Sequence, residues 1–157
     1  MQLPTCVALA LLTLAQVAPA APQDKPAEKP AEKKAEPRTL KVKLNYTGTG
    51  TVDSKHPIIL FLFDTPDFVQ GNVMPIASMS GTAKDATVVF PGLSQSPVYV
   101  VATYDPAGNY DGQSGPPPSG SSMGMYCKTP PAAEPVKIEP GATASIELAF
   151  DDSFKMP

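Results

Sequence analysis

The sequence predicts an all-β domain, an antiparallel β-sandwich of about six to eight strands, and three observations predict it. Apolar and polar residues alternate over short runs, as they do on a half-buried strand. Clusters of Gly, Pro, Ser and Asp end those runs at short intervals. Beyond the first three dozen residues, no window of about eleven or more carries helical periodicity.

The amino-terminal part is of a different kind. Val7 to Ala18, "VALALLTLAQVA", is apolar but too short to span a bilayer, and "APA" at Ala18 to Ala20 offers small residues for cleavage after Ala20. Residues 1–20 therefore read as a signal peptide, although "MQLPTC" carries no Lys or Arg. Residues 21–38 repeat Pro, Ala, Lys and Glu with almost nothing to bury, which predicts a disordered spacer. The folded domain is expected over residues 39–157, about 120 residues, enough for one hydrophobic core. A leader places the protein in the periplasm or outside the cell, with no membrane span left in the mature chain. Once Cys6 leaves with the leader, Cys127 is the sole thiol and no internal disulfide is possible.

Within the domain, "LKVKLNY" puts Leu40, Val42, Leu44 and Tyr46 on one face and Lys41, Lys43 and Asn45 on the other. "HPIILFLFD", His56 to Asp64, is continuously apolar, with Pro57 at its start, and reads as a central strand. "MPIASMSG" is poorly patterned. "ATVVF", Ala86 to Phe90, and "SPVYVVATY", Ser96 to Tyr104, are two further strands separated by the turn-rich "PGLSQ". "PVKIEPG" and "ATASIELAF" complete the set, the latter with Ala144, Ile146, Leu148 and Phe150 on one face.

The stretch from Ala86 to Gly108 resembles transthyretin-like and carboxypeptidase-regulatory-like domains. Phe90, Gly92, Leu93, Tyr99, Val101 and Ala102 carry the resemblance: a strand ending in Phe, a Gly-Leu turn and a following Tyr-Val-Ala strand. It implies a prealbumin-like or Ig-like sandwich that serves as an accessory module and has no active site of its own.

Two metal chemistries are open. In "YDPAGNYDG", Asp105, Asn109 and Asp111 supply hard oxygen donors suited to Ca²⁺, with Asp151 and Asp152 as further candidates. The EF-hand register fails, because it places Ala107 and Pro118 at ligand positions. The alternative is a turn in which the carboxylates bond their own backbone and the glycines take positive φ. In "MGMYC", Met123, Met125 and Cys127 alternate and present soft donors suited to Cu⁺, with His56 as a fourth ligand. The alternative there is an apolar packing strip. No cofactor follows from either pattern alone.

Residues 112–124 form a long Gly- and Pro-rich loop, and Tyr104, Tyr110 and Tyr126 near it suggest a platform for a sugar or a peptide. A zinc-binding helix pattern, a nucleophile elbow and a phosphate loop are all missing, and one histidine leaves little for acid–base work. Asp64 and Asp67 at a strand end read as solvated carboxylates. From Thr39 onward seven lysines face eleven acidic residues, which argues against a nucleic-acid partner. The expectation is a non-enzymatic binding or structural module at the cell envelope, whose partner is another envelope or extracellular protein. Its contact surface is expected in loops 65–75 and 105–126, and metal handling is the alternative.

Overall fold

A computed structural model describes residues 36–70, 73–129 and 132–157 of the chain. The expected signal peptide and all but the last residues of the expected spacer lie outside the described residues. None of the helices among the described residues is long and apolar enough to cross a membrane.

Seven strands make two sheets: β1 (Arg38–Tyr46), β2 (Ile58–Phe63), β3 (Ala77–Gly81), β4 (Thr87–Leu93), β5 (Tyr99–Tyr104), β6 (Ser122–Met125) and β7 (Thr143–Phe150). The three-stranded sheet has the order β4-β1-β7 and the four-stranded sheet β3-β2-β5-β6. The fold is a β-sandwich. One ladder departs from the antiparallel expectation, because β1 and β7 run parallel with Leu40 beside Ala144 and Tyr46 beside Phe150. Strands so far apart in the chain have ample connecting length for a parallel pairing.

The sandwich interior is built from alternate residues, as the period-two pattern requires. Leu40, Val42 and Leu44 of β1 are fully buried, and they share one cluster with Ile58, Leu60 and Leu62 of β2, Val98 and Val100 near and in β5, and Leu148 of β7. The outer face of the three-stranded sheet carries Lys41, Lys43 and Glu147 in water. By contrast, β2 is buried at every position, so the four-stranded sheet has a second apolar layer outside the sandwich, made by Ile59, Phe61, Phe63 and Val101.

One unexpected strand appears and one expected strand is reduced to a bridge. The weakly patterned "MPIASMSG" stretch contributes β3. "PVKIEPG" contributes a single bridge, Val98 with Val136. Its Val136 and Ile138 are buried as the pattern implies, but Pro135 and Pro140 lack the N–H groups that a ladder needs. The domain also begins one residue early, since Arg38 opens β1 and its guanidinium donates to the carbonyls of Ile138 (2.8 Å) and Ser94 (2.9 Å).

One end of the sandwich is held by a carboxylate. Asp152, just past β7, accepts from the Tyr46 hydroxyl (2.5 Å) and Ser122 Oγ (2.7 Å) on Oδ1, and from Thr49 N (2.8 Å) and Thr49 Oγ1 (3.0 Å) on Oδ2. These bonds join β7, β1, β6 and the loop after β1. Donation from Tyr46, then from Thr49 and Ser122, holds the Asp152 carboxyl well below the usual range. Burial, and then the Asp152 carboxylate, push the Tyr46 phenol up to about 12. The Tyr46 ring stacks at a tilt against Tyr104 (5.0 Å) and Phe150 (4.8 Å).

Candidate functional site

The sheets have four outer strands, and three are blunted by recognisable means. The edge of β4 carries Pro91 and Gly92, and its register with β1 slips between Arg38–Leu93 and Leu40–Phe90, which inserts one extra residue at that point. Next to β6 lies the carboxy-terminal segment: Met123 N donates to Phe154 O (2.9 Å), Gly120 N to Met156 O (2.9 Å) and Met156 N to Ser121 O (2.9 Å). β7 carries Glu147 at its middle.

β3 is different. Its sequence, "ASMSG", has no charge and no proline, and among the described residues no segment pairs with its free side. Shortness is its main protection. The ladder explains the weak pattern: Ala77, Met79 and Gly81 stand opposite the interior residues Leu62, Leu60 and Ile58, while Ser78 and Ser80 stand opposite Phe61 and Ile59. Gly81 is small for a reason, since a Cβ there would lie 2.8 Å from Leu44 Cδ1. Met79 stands opposite the interior residue Leu60 but is 42% exposed, joins neither apolar cluster and helps to line the groove on the outer face. Met74 (77% exposed) and Ile76 (38%) precede it, so three of the five exposed large apolar side chains among the described residues fall within six residues. Such clustering marks contact surfaces more often than solitary exposed residues do.

A shallow groove lies along each flank of β3. On the outer face, about 240 Å³ is enclosed by Ile59, Ser78, Ser80, Tyr110, Asp111 and Gln113, among others. At the notch between β3 and β4, about 410 Å³ is lined by Ile76, Ala77, Pro91, Leu93 and neighbouring residues.

The outer groove owes its wall to the loop after β5. Asp105 is 6% exposed, and its carboxylate accepts from Ala107 N (2.9 Å), Asn109 N (2.8 Å) and Tyr110 N (3.0 Å). That turn folds the chain back over the sheet, where Tyr110 meets Phe61 at 6.2 Å. Gly112 has φ +75° and presses on Ile59, whose Cγ2 would lie 2.8 Å from a Cβ; no other residue meets both demands. Asp111 is then presented at the surface with its side chain fixed: Oδ1 accepts from Gln113 N (2.8 Å) and Ser114 N (2.9 Å), and Oδ2 accepts from Ser114 Oγ (2.8 Å). The Gln113 and Ser114 donors hold its carboxyl below the usual carboxylate range. Burial, and then the Asp111 charge, push the Tyr110 phenol up.

The structure separates the residues singled out in the sequence. Asp105 turns both oxygens to loop backbone and Asp111 turns Oδ1 there, as a turn requires, with Asp111 Oδ2 on the Ser114 hydroxyl, while Asn109 supplies a backbone N–H. Asp152 serves the Tyr46 cluster, and Asp151 Oδ1 accepts from Ser153 N (2.8 Å). Among the described residues, no three His, Cys, Asp or Glu side chains form a group that could hold a metal. Met123 and Met125 share a face, as alternation predicts, and pack on the outer apolar layer; Cys127 lies past the end of β6 and is partly exposed. The His56 ring faces Asp53, Nδ1 to Oδ1 at 3.1 Å. The tyrosine platform does not form: Tyr104 and Tyr126 belong to the interior cluster and Tyr110 to the outer one. Asp64 and Asp67 are exposed, and Asp67 Oδ2 accepts from Thr65 Oγ1 (3.3 Å).

Sequence reasoning missed β3 itself. The usable signal was an uncharged Ala-Ser-Met-Ser-Gly alternation with apolar residues just before it. The chain matches no protein-family profile, no curated protein and no solved structure.

Proposed function

We propose that this is an exported, non-catalytic β-sandwich module of the cell envelope that binds another envelope or extracellular protein through β3 and its flanks. The observation that carries the reading is the contrast among edges: β3 alone lacks a charge, an internal proline or a covering segment among the described residues. β3 is short, at five residues, but no charge, proline or neighbouring segment among the described residues blocks a further strand, and edges left open in this way invite pairing. The apolar segment before "APA" and the spacer that follows support export to a periplasmic or extracellular site. The order of a Phe-containing β4, its Gly-Leu end and β5 supports kinship with transthyretin-like modules.

The test is site-specific crosslinking in the intact envelope. A photoreactive residue replaces Met79 on β3 or, as control, Val89 on β4, which is similarly exposed at 37%. A discrete adduct from position 79 and none from 89 is the expected result. Silence from position 79, or equal adducts from both, overturns the reading.

A further inference from the structure

The flanks of β3 specify more than a general contact, provided that this strand is the contact edge proposed for it. A strand laid against β3 would sit about 4.8 Å from it, and its side chains would alternate between the two faces of the sheet. One set points to the outer face, beside Ser78 and Ser80; the other points into the flank between the sheets, beside Ala77. The two faces differ in chemistry. The flank notch is lined mainly by the apolar Ile76, Ala77, Pro91 and Leu93, with the uncharged polar Ser94 and Gln95 beside them, and contains no charged residue. The outer groove contains a single charged lining residue, Asp111.

Asp111 is well prepared for a cation. Three donors from its own loop fix the carboxylate, and Oδ2 accepts only from Ser114 Oγ, so lone-pair capacity faces solvent. The groove lies over β2 and β3 rather than beyond the edge, since Ile59 of β2 forms part of its floor. A short side chain on an added strand would not reach it. A long one, leaning across β3 as diagonal neighbours do, would, and the long polar side chains that complement a carboxylate are lysine and arginine. The acidic balance of the domain points the same way.

We infer that β3 accepts an extended segment of a partner protein as a fifth strand of its sheet, with a lysine or arginine side chain reaching over β3 to Asp111 and apolar side chains on the alternate face filling the notch between β3 and β4. Main-chain pairing supplies the adhesion, and the alternation of a cationic residue with apolar ones supplies the selection.

The experiment uses the full chain and two blocked peptides, acetyl-Thr-Val-Lys-Val-Thr-amide and its twin with norleucine for lysine, followed by NMR amide shifts. The lysine peptide is expected to move the amides of residues 77–81 and to bind about three to five times more tightly than the twin. That gap is expected to close in Asp111→Asn and in high salt. Equal binding of both peptides at β3 overturns the cation selection while leaving β3 as the contact edge. If neither peptide moves β3 amides at about 1 mM, strand addition is overturned; the crosslink from position 79 then decides separately whether β3 is a contact at all. A β3 already paired with a second copy, seen as a concentration-dependent dimer without peptide, also overturns the inference.

Discussion

β3 and β6 are the two edges of one sheet, and the chain treats them in opposite ways. Residues 154–156 flank β6 through one backbone bond to Met123 and two to Gly120 and Ser121 just before it, and Ser122 ties β6 to Asp152, the carboxylate that also holds Tyr46 and Thr49. β3 has a partner on one side only and displays Met79 at its free flank. The difference teaches that edge exposure here is local rather than general: the same sheet closes one border with its own terminus and leaves the other open. Closing β6 needs a fixed turn at residues 151–153, and Asp152 supplies its anchor.

The largest effect is expected from removing that anchor. Asp152→Ala leaves the Tyr46 hydroxyl, Ser122 Oγ and the Thr49 donors without their acceptor. These groups are only partly buried, so water replaces some of what is lost, and we expect a cost of about 2 to 3 kcal/mol, seen as a midpoint lowered by roughly ten degrees in a thermal melt. Amide exchange at β6 should rise while β3 keeps its native value. Equal loosening of both edges would break the comparison. A smaller loss, about 1 to 2 kcal/mol, is expected from deleting residues 154–157, which removes the three bonds beside β6. This variant is also expected to self-associate, as an uncovered edge does; a chain that stays monomeric in sedimentation would show that the tail does not guard β6.

Part of the Asp152 contribution is lost by titration alone. Its folded carboxyl lies below the unfolded value of 3.8. The associated stability is therefore fully present above about pH 5 and declines as pH falls through 3.8 toward the lower folded value. Tyr46 acts at the other limit: its folded value of about 12 exceeds the unfolded 10.0, so its contribution is complete below pH 10 and is lost as pH rises from there through about 12. Chemical denaturation across pH should show both declines. Asp152→Asn should flatten the acid limb, and Tyr46→Phe the alkaline one. Unchanged limbs in the variants would remove Asp152 and Tyr46 as the cause.

Neither edge of the four-stranded sheet was legible in the sequence: β3 falls on a poorly patterned stretch, and β6 overlaps the end of a long Gly- and Pro-rich loop. The strands with strong patterns, β1, β2, β5 and β7, are those whose inward residues are large and whose partners lie on both sides or across a full core. β2 was readable as a central strand because six consecutive apolar residues leave no polar face to expose. β3 was not readable, because an edge strand beside a crowded corner needs small inward residues, Ala77 and Gly81, and these carry little hydropathic signal. The "YDPAGNYDG" loop was legible as chemistry but not as geometry. Asp and Asn in that spacing fit a turn or a cation site equally well, and the choice rests on where each oxygen points. For Asp105 all three bonds run to loop backbone. The long-range role of Asp152, bonded to residues 30, 103 and 106 positions away, has no local signature at all.

The smallest effect on stability is expected where the effect on binding is greatest. Ser80 is exposed on the outer face of β3, and lysine there introduces the charge that natural edges use to resist pairing. Ser80→Lys touches no interior residue, since its ladder neighbour Ile59 lies on the outer layer, so the melt should shift by about 0.5 kcal/mol or less. The same lysine stands beside the Asp111 groove and offers that carboxylate an internal partner. Binding of the lysine-containing peptide should therefore fail twice over, through the charged edge and through the occupied acceptor. A matched charge on β7, Ala149→Lys, should leave peptide binding intact, because β7 belongs to the other sheet. If Ser80→Lys binds the peptide as the wild-type chain does, the open border of the sheet is an accident of its corner and not a surface built for a partner.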